Sequence, residues 1–345
     1  PESFMQLAHR YPFHIEALYQ LALYYHLRAD LEQVAKITVR LLYAFQLSFH
    51  HQFSPLSQHV RLDYSMNRFN EIFYKALFMH IDCVGRKGCY RTALELSKFM
   101  LAISPEEDPM GALFLIEYFS IRSKKLDYLL KFAKEFDSEF PAGGSLLSFP
   151  NVLYSIALAK GLKDIREGRE LVCDVTMAEG IVNAESMAEL VELNAGAVLL
   201  AAVLLFPGVY QKILKKISPN EKYEADFDSP QGDYTKIAEI YAERSADMWK
   251  PDIICPWLKK SSRVAIELGD MRPKLLSLLD TKVNLERYIA LDKSQFSDDV
   301  RNWIPEDINI GVQRPQAPRG NLSPESNPFW LFLATLLPWN RVDFA

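Results

Sequence analysis

The chain has 345 residues, 49% of them hydrophobic, enough for a large core in one elongated domain or two compact ones. Its net charge is −5 at pH 7 and no basic block occurs, which argues against direct nucleic-acid binding. The longest apolar run, Ala195 to Phe206, is 12 residues, against the roughly 20 that a membrane-spanning helix needs, so it reads as a buried helix and no membrane contact is expected.

Residues 12–48 read as a first helical repeat. Leu18, Leu21, Ala22, Tyr25, Ala29, Leu31, Val34, Thr38 and Leu41 place apolar and small side chains at the three- and four-residue steps of a helix face. Pro12 stands where the closing proline of an earlier repeat would, and the chain starts at Pro1 rather than Met, so a longer array is expected. An insertion follows at 49–72, too long for an ordinary turn. Its His50, His51 and His59 lack the carboxylate or cysteine that a metal site would need. Arg61, Leu62, Asp63 and Tyr64 are expected to pin the insertion to the repeats through a charge-assisted clamp, with partner contact by Arg61, Asp63 and Tyr64 as the alternative.

The stretch 74–141 carries the strongest internal pattern. Gly88, Tyr90, Ala93 and Pro105 have the spacing of a tetratricopeptide repeat: a small residue, an aromatic two on, an alanine three further and a proline twelve beyond. Gly88 should end a first helix with a tight turn, and Pro105 should stop the second because it cannot donate a backbone hydrogen bond. The next unit follows 36 residues after Gly88, with Lys124, Leu126, Leu129, Ala133, Phe136 and a closing Pro141. Asp108–Pro109 reads as its N-cap and first helical position. Helices continue from Pro150, through an amphipathic stretch between Gly161 and Gly180, to a helix from Leu190 to Phe206 ended by Pro207–Gly208. This is a fourth repeat with an expanded middle.

Residues 218–234 are acidic and turn-rich and are expected to form an exposed, mobile loop. Helices resume over 235–291, with Trp249 and Trp257 sharing a helix–helix seam and a final helix from Leu275 to Leu291. Residues 292–345 should run extended, with prolines at 305, 315, 318, 324 and 328 and an apolar tail containing Trp330 and Trp339 that docks back or meets a partner. The expected fold is therefore all-α: a tetratricopeptide-like helical-repeat solenoid over 1–217, a loop, further helices, and an extended Pro-rich C-terminal segment.

No phosphate loop, nucleophile elbow, HExxH or paired CxxC occurs. The four cysteines, Cys83, Cys89, Cys173 and Cys255, show no disulfide or zinc spacing, which suits a reducing compartment. His80 and Cys83 read as core, and neither a cofactor nor a metal is expected. A binding protein is left. In stacked helix pairs the first helix of each pair lines the concave face. That assigns Tyr19, Leu23 and His26 to the groove in the first repeat, Lys75, Phe78, Asp82 and Arg86 in the second, and Phe114, Tyr118 and Arg122 in the third. Tyr19 and Leu23 stand where a carboxylate clamp would require polar residues, so a chaperone C-terminal peptide is not the expected ligand. Aromatics with arginines suit a protein segment.

Several segments carry a family resemblance: HQFSPLS and RLDY near residues 51–64, RKGCYRTALELSKFMLAISPEEDP from Arg86, LLFPGVY at 204–210, YAERSADMWKPDIICPWL at 241–258, and the closing NPFWLFLATLLPWN. Together they resemble the transcription factor 25 family, which includes the first subunit of the fungal ribosome quality control complex. The charged N-terminal tail of that family has no counterpart here. The resemblance implies a non-enzymatic adaptor, cytoplasmic with a nuclear pool also admitted. It would act beside a Listerin-type E3 ubiquitin ligase and ubiquitin on large ribosomal subunits holding stalled nascent chains, ahead of an AAA segregase. The alternative is a nuclear transcriptional repressor scaffold.

Overall fold

The computed structural model describes residues 2–51, 53, 60–138, 144–219, 234–280 and 286–297. These all fall in one structural unit, Pro1–Pro305. Among them every regular element is helical. The acidic stretch 220–233, the Pro-rich stretch from 298 onward with Trp330 and Trp339, His59 and Pro141 lie outside the described residues.

The first eight helices pack in sequence, each on the next: α1 (Glu2–Arg10), α2 (Ile15–Leu27), α3 (Leu31–Ser48), α4 (Arg68–Arg86), α5 (Tyr90–Ile103), α6 (Ala112–Arg122), α7 (Leu126–Ser138) and α8 (Pro150–Arg166). Local chemistry sets their ends. Side chains of His14, Asp30 and Asn67 accept the first free backbone N–H groups of α2, α3 and α4. Helices α2, α4, α6 and α8 all terminate the same way. A left-handed residue follows each (Ala29, Gly88, Lys124, Gly168), and the next N–H turns back to the helix: Asp30 to Tyr25, Cys89 to Val84, Lys125 to Ser120 and Arg169 to Asp164, at 2.8–3.1 Å. This double bond-back is a Schellman motif, and it reverses the chain within two residues.

Two of these positions carry side chains in a conformation that disfavours them by about 1–2 kcal/mol. Glycine there would relieve that strain, offset in part by its larger unfolded-state entropy. Ala29→Gly and Lys124→Gly, at φ 56° and 60°, are each expected to raise stability by about 0.5–1 kcal/mol in urea unfolding. A loss of stability in both would contradict this account of the turns.

The second half is organised around α11 (Ala195–Leu205), whose residues are all buried. A helix apolar on every side needs neighbours on every side. Here they are α8, α9 (Ala178–Asn183), α10 (Met187–Glu192), α12 (Pro207–Ile217), α14 (Ile254–Glu267) and α15 (Arg272–Leu278). Helix α13 (Tyr234–Ser245) then crosses back onto α12, α8 and α6. Among the described residues no single helix is long and apolar enough to cross a membrane, and α11 and α12 meet at 101°.

Several expectations change. The helix expected over 190–206 is broken: α10 ends at Glu192, and Asn194 caps a new helix by accepting from Ala197 N at 2.8 Å. Pro207 ends α11 and also opens α12, as its fixed φ and missing N–H allow. Gly161 does not start an amphipathic stretch. It lies inside α8, where a Cβ would sit 3.0 Å from the Trp257 ring, so the glycine makes room for the indole. The helix expected over 275–291 ends at Leu278: Leu279 turns extended, and Asp280 N donates to Ser148 Oγ at 3.0 Å. Residues 68–72, counted in the insertion, form the first turn of α4. Asp108 is not the N-cap of α6. Gly111 is, and the Asp108 carboxylate caps from further back, accepting from Ala112 N at 2.6 Å and Leu113 N at 3.2 Å.

Candidate functional site

The spacing of residues 75, 78, 82 and 86 puts them on one side of α4, and that of residues 114, 118 and 122 puts them on one side of α6. The fold brings these two sides together on one inner face, but the chain's own residues cover it. Residues 286–297, built as two 3-10 turns (Glu286–Tyr288 and Lys293–Phe296), lie against α4, α6 and α13. The Phe296 ring sits edge-on between Phe78 and Phe114, with centroids 5.8 and 5.7 Å away. Tyr288 packs on Phe114 at 5.1 Å and Phe149 at 6.1 Å. Its hydroxyl donates to Asp108 Oδ2 at 3.0 Å. Arg86 Nη2 donates to the Ser297 carbonyl at 3.0 Å. Gly111 makes this approach possible: a Cβ there would fall 2.8 Å from Leu291 Cδ1 and 3.1 Å from the Phe296 ring.

Beside this segment α13 contributes a charged cluster. Asp82 accepts from Arg86 Nε at 2.6 Å and faces Arg244 Nη1 at 3.6 Å. The Arg244 side chain is only 5% exposed, and its guanidinium stacks on Tyr118 at 4.3 Å and Phe119 at 5.4 Å. Burial pushes His26, on the neighbouring α2, down to about 4, against the pull of Asp82. Burial likewise raises the Asp108 carboxyl and the Tyr288 hydroxyl. A histidine pushed down and a carboxyl pushed up are what a water-excluded face produces.

Below it a polar chain runs through the core. Glu117, 2% exposed, accepts from Asn151 Nδ2 at 2.8 Å and from Ser155 Oγ at 3.2 Å. Ser155 reaches Tyr241 Oη at 3.3 Å, and Trp249 Nε1 donates to the same oxygen at 3.3 Å. Burial lifts the Glu117 carboxyl from 4.5 to about 8.

The sequence-assigned residues fall into three groups. Tyr19, Phe78, Phe114 and Tyr118 are buried. Trp249 and Trp257 are also buried and stack at 6.4 Å, in the shared seam that their spacing suggested. Lys75, Asp82 and Arg86 are half-buried. Arg122 is exposed, donating to Tyr90 Oη at 2.6 Å and stacking on its ring. The insertion is pinned where the clamp was expected. Leu62 N donates to Ile103 O at 2.9 Å, Arg61 Nη1 to Ala102 O at 3.2 Å, and Tyr74 Oη to Leu62 O at 2.6 Å. Asp63 closes its own turn by accepting from Ser65, and Tyr64 packs on Tyr74 at 5.6 Å. The charge assistance comes from Arg61 at the carbonyl end of α5, where the helix dipole favours a cation.

Tyr288, Phe296 and Arg244 were not singled out from sequence. Arg244 lies inside the YAERSADMW segment. Tyr288 lies inside the helix expected over 275–291 and Phe296 in the stretch expected to run extended, and no local signal marks what they touch.

Other surfaces carry less chemistry. A cleft of about 850 Å³ between α7, α8 and the α10–α11 junction is lined by charges that its own residues match. Lys163 pairs with Asp127 at 2.8 Å, Lys134 with Glu192, and Lys160 donates to the Val191 and Leu193 carbonyls. Burial pushes the Cys83 and Cys173 thiols up to about 11, away from thiolate reactivity. Among the described residues no group of three or more His, Cys, Asp or Glu side chains could hold a metal ion.

The family model described as transcriptional repressor TCF25 matches residues 1–310. The chain belongs to the TCF25 family. Among its relatives is the ribosome quality control complex subunit TCF25 of Dictyostelium discoideum, 28% identical over 89% of this chain and 44% of that protein. The human protein of the same name is 27% identical over 98% of this chain and 52% of its own length. The ribosome quality control complex subunit 1 of Schizosaccharomyces pombe is 26% identical over 46% of this chain and 23% of that protein. This TCF25-family chain therefore spans about half the length of the curated relatives it matches most fully. No solved structure matches it.

Proposed function

We propose that this chain is a non-enzymatic adaptor of ribosome-associated quality control. In this reading it holds a Listerin-type E3 ligase and ubiquitin, so that stalled nascent chains on large ribosomal subunits receive degradation-type ubiquitin chains, and an AAA segregase acts afterwards. The observation that carries it is the match, over 89% and 98% of this chain, to relatives named as ribosome quality control complex subunits. The architecture supports a binding role. Four first helices end in the same Schellman turn, which fits a tetratricopeptide-like array, and the face shared by α4 and α6 is rich in aromatics and arginine, as protein interfaces are. The mechanism is positional: a rigid frame sets which ubiquitin lysine meets the loaded enzyme, and orientation alone can supply large selectivity. Both a cytoplasmic location and a nuclear pool belong to this proposal.

The test is chain linkage. Reconstituted ligase on stalled large subunits is expected to shift its linkage composition when this chain is added, as read by mass spectrometry of the ubiquitin products. Identical linkage with and without it overturns the positional mechanism. A second reading, a transcriptional repressor scaffold, is favoured by the family's own description. It predicts capture of nuclear regulators that is insensitive to ribosomes, without the steep salt dependence of direct DNA binding.

A further inference from the structure

Segment 286–297 has the features of a bound peptide rather than of a layer of the core. Its own regular structure is two single 3-10 turns, closed by short-range bonds such as Leu291 N to Tyr288 O and Gln295 N to Asp292 O, and no longer helix or strand runs through it. Its side chains divide by face. Tyr288, Leu291 and Phe296 are buried at 1%, 5% and 0% exposure, while Ile289 is 49% exposed, and Ala290, Asp292 and Lys293 also face solvent. Its anchors are those of linear-peptide recognition: two aromatic rings in apolar slots, one hydroxyl on a carboxylate and one backbone carbonyl on an arginine. The receiving side is preformed by helices. Phe78 and Phe114 make the slot, Asp108 is fixed by the first N–H groups of α6, and Arg86 is held by Asp82.

We infer that the inner face of α4 and α6 is a receptor for an extended protein segment carrying a tyrosine and a phenylalanine eight residues apart, and that residues 286–297 occupy it in cis until such a partner segment displaces them. The cis segment shows which chemistry fits. The tyrosine hydroxyl meets Asp108, the phenylalanine enters between Phe78 and Phe114, and the carbonyl of the residue after it meets Arg86. Occupancy in cis lowers the apparent affinity for the partner by the fraction of molecules in which the face is open. The face is therefore closed in the free chain and opens only to a segment that reproduces these contacts. This inference rests on the adaptor reading only in expecting the partner to be a protein.

The test uses a fluorescent peptide with the sequence of residues 286–297 and the chain as it stands. Fluorescence anisotropy should show weak binding to the wild type and at least roughly tenfold tighter binding to Tyr288→Ala/Phe296→Ala, in which the cis anchors are gone. Arg86→Gln added to that variant should reverse the gain, and a peptide lacking both aromatics should not bind. On the wild type, saturating peptide should speed hydrogen exchange in residues 286–297 as the cis segment leaves. Equal affinity for wild type and variant, or unchanged exchange in that segment, overturns the proposal. So does a double variant that loses its helical circular dichroism, because the segment would then be part of the core. The assay contains no ligase, ubiquitin or ribosome, so its failure leaves the adaptor reading standing, and an unchanged ubiquitin linkage leaves peptide binding standing.

Discussion

Glu117→Gln is expected to remove a contribution to stability that the wild type loses as the pH rises from about 4.5 to 8. The Glu117 carboxyl titrates near 4.5 when unfolded and near 8 when folded. Below the first value both states are protonated and the folded state keeps its full stability. Above it the unfolded chain releases a proton that the folded chain retains, so stability falls by ~1.4 kcal/mol per pH unit until the folded acid also ionises. Held neutral, the acid can donate to Ser155 Oγ, whose proton then points to Tyr241 Oη, while Asn151 donates to the other carboxyl oxygen. A glutamine amide reproduces that pattern without a titrating group. The variant should match the wild type at pH 4 and exceed it by about 3 kcal/mol at pH 7. The comparison must be between variant and wild type. His26 and His80, both lowered by burial, weaken either protein as the pH falls below 6.5, and Asp108, raised by burial, acts in both. Urea unfolding at several pH values reads the difference, and a gap that stays constant with pH would sink the assignment.

Asp82→Ala is expected to destabilise the chain by about 3 kcal/mol, out of proportion to the size of the side chain removed. The loss comes from taking the Asp82 carboxylate away from the Arg244 guanidinium, whose side chain is only 5% exposed. The stack on Tyr118 and Phe119 compensates only in part, because a cation over a ring gains about 1–2 kcal/mol when desolvated. Arg244→Met should be milder, and the double variant Asp82→Ala/Arg244→Met should recover most of the loss, since an apolar replacement of a whole buried pair is often neutral. A denaturation double-mutant cycle should give a coupling of at least about 1 kcal/mol. Additive losses would show that the pair does not act as a unit. Because Arg86 also binds Asp82 and holds the Ser297 carbonyl, Asp82→Ala should loosen segment 286–297 as well.

Much of the first half was legible from local pattern, and the particular residues show why. Gly88 takes a left-handed conformation that its missing Cβ permits, and Pro105 ends a helix for want of an N–H. Both effects act within one turn of chain. The same turn built on Ala29 and Lys124 could not be read so directly, since neither side chain favours the left-handed conformation that the turn requires. The second half misled for a related reason. Gly161 looked like a boundary but is a seat for Trp257, 96 positions away in the chain. The run from Leu190 to Phe206 looked continuous because every side chain in it is compatible with a helix, and the break comes from an asparagine cap at 194. Helical periodicity set the groove positions expected on α4 and α6, because it places residues three and four apart on one face. Their covering was not found, because it depends on contacts such as Tyr288 to Asp108 and Arg86 to Ser297, separated by 180 and 211 residues.

By itself the sequence determined where several helices of the first half turn and stop, and which family the chain resembles. Backbone conformation, capping and periodicity are short-range properties, written within a few residues of where they act. Only the tertiary structure decided that α11 is the centre of the second half, that Glu117 and Arg244 are polar groups held inside, and that the inner face is closed by residues 286–297. Those outcomes depend on which distant surfaces exclude water from one another, and no local window of the chain contains both partners.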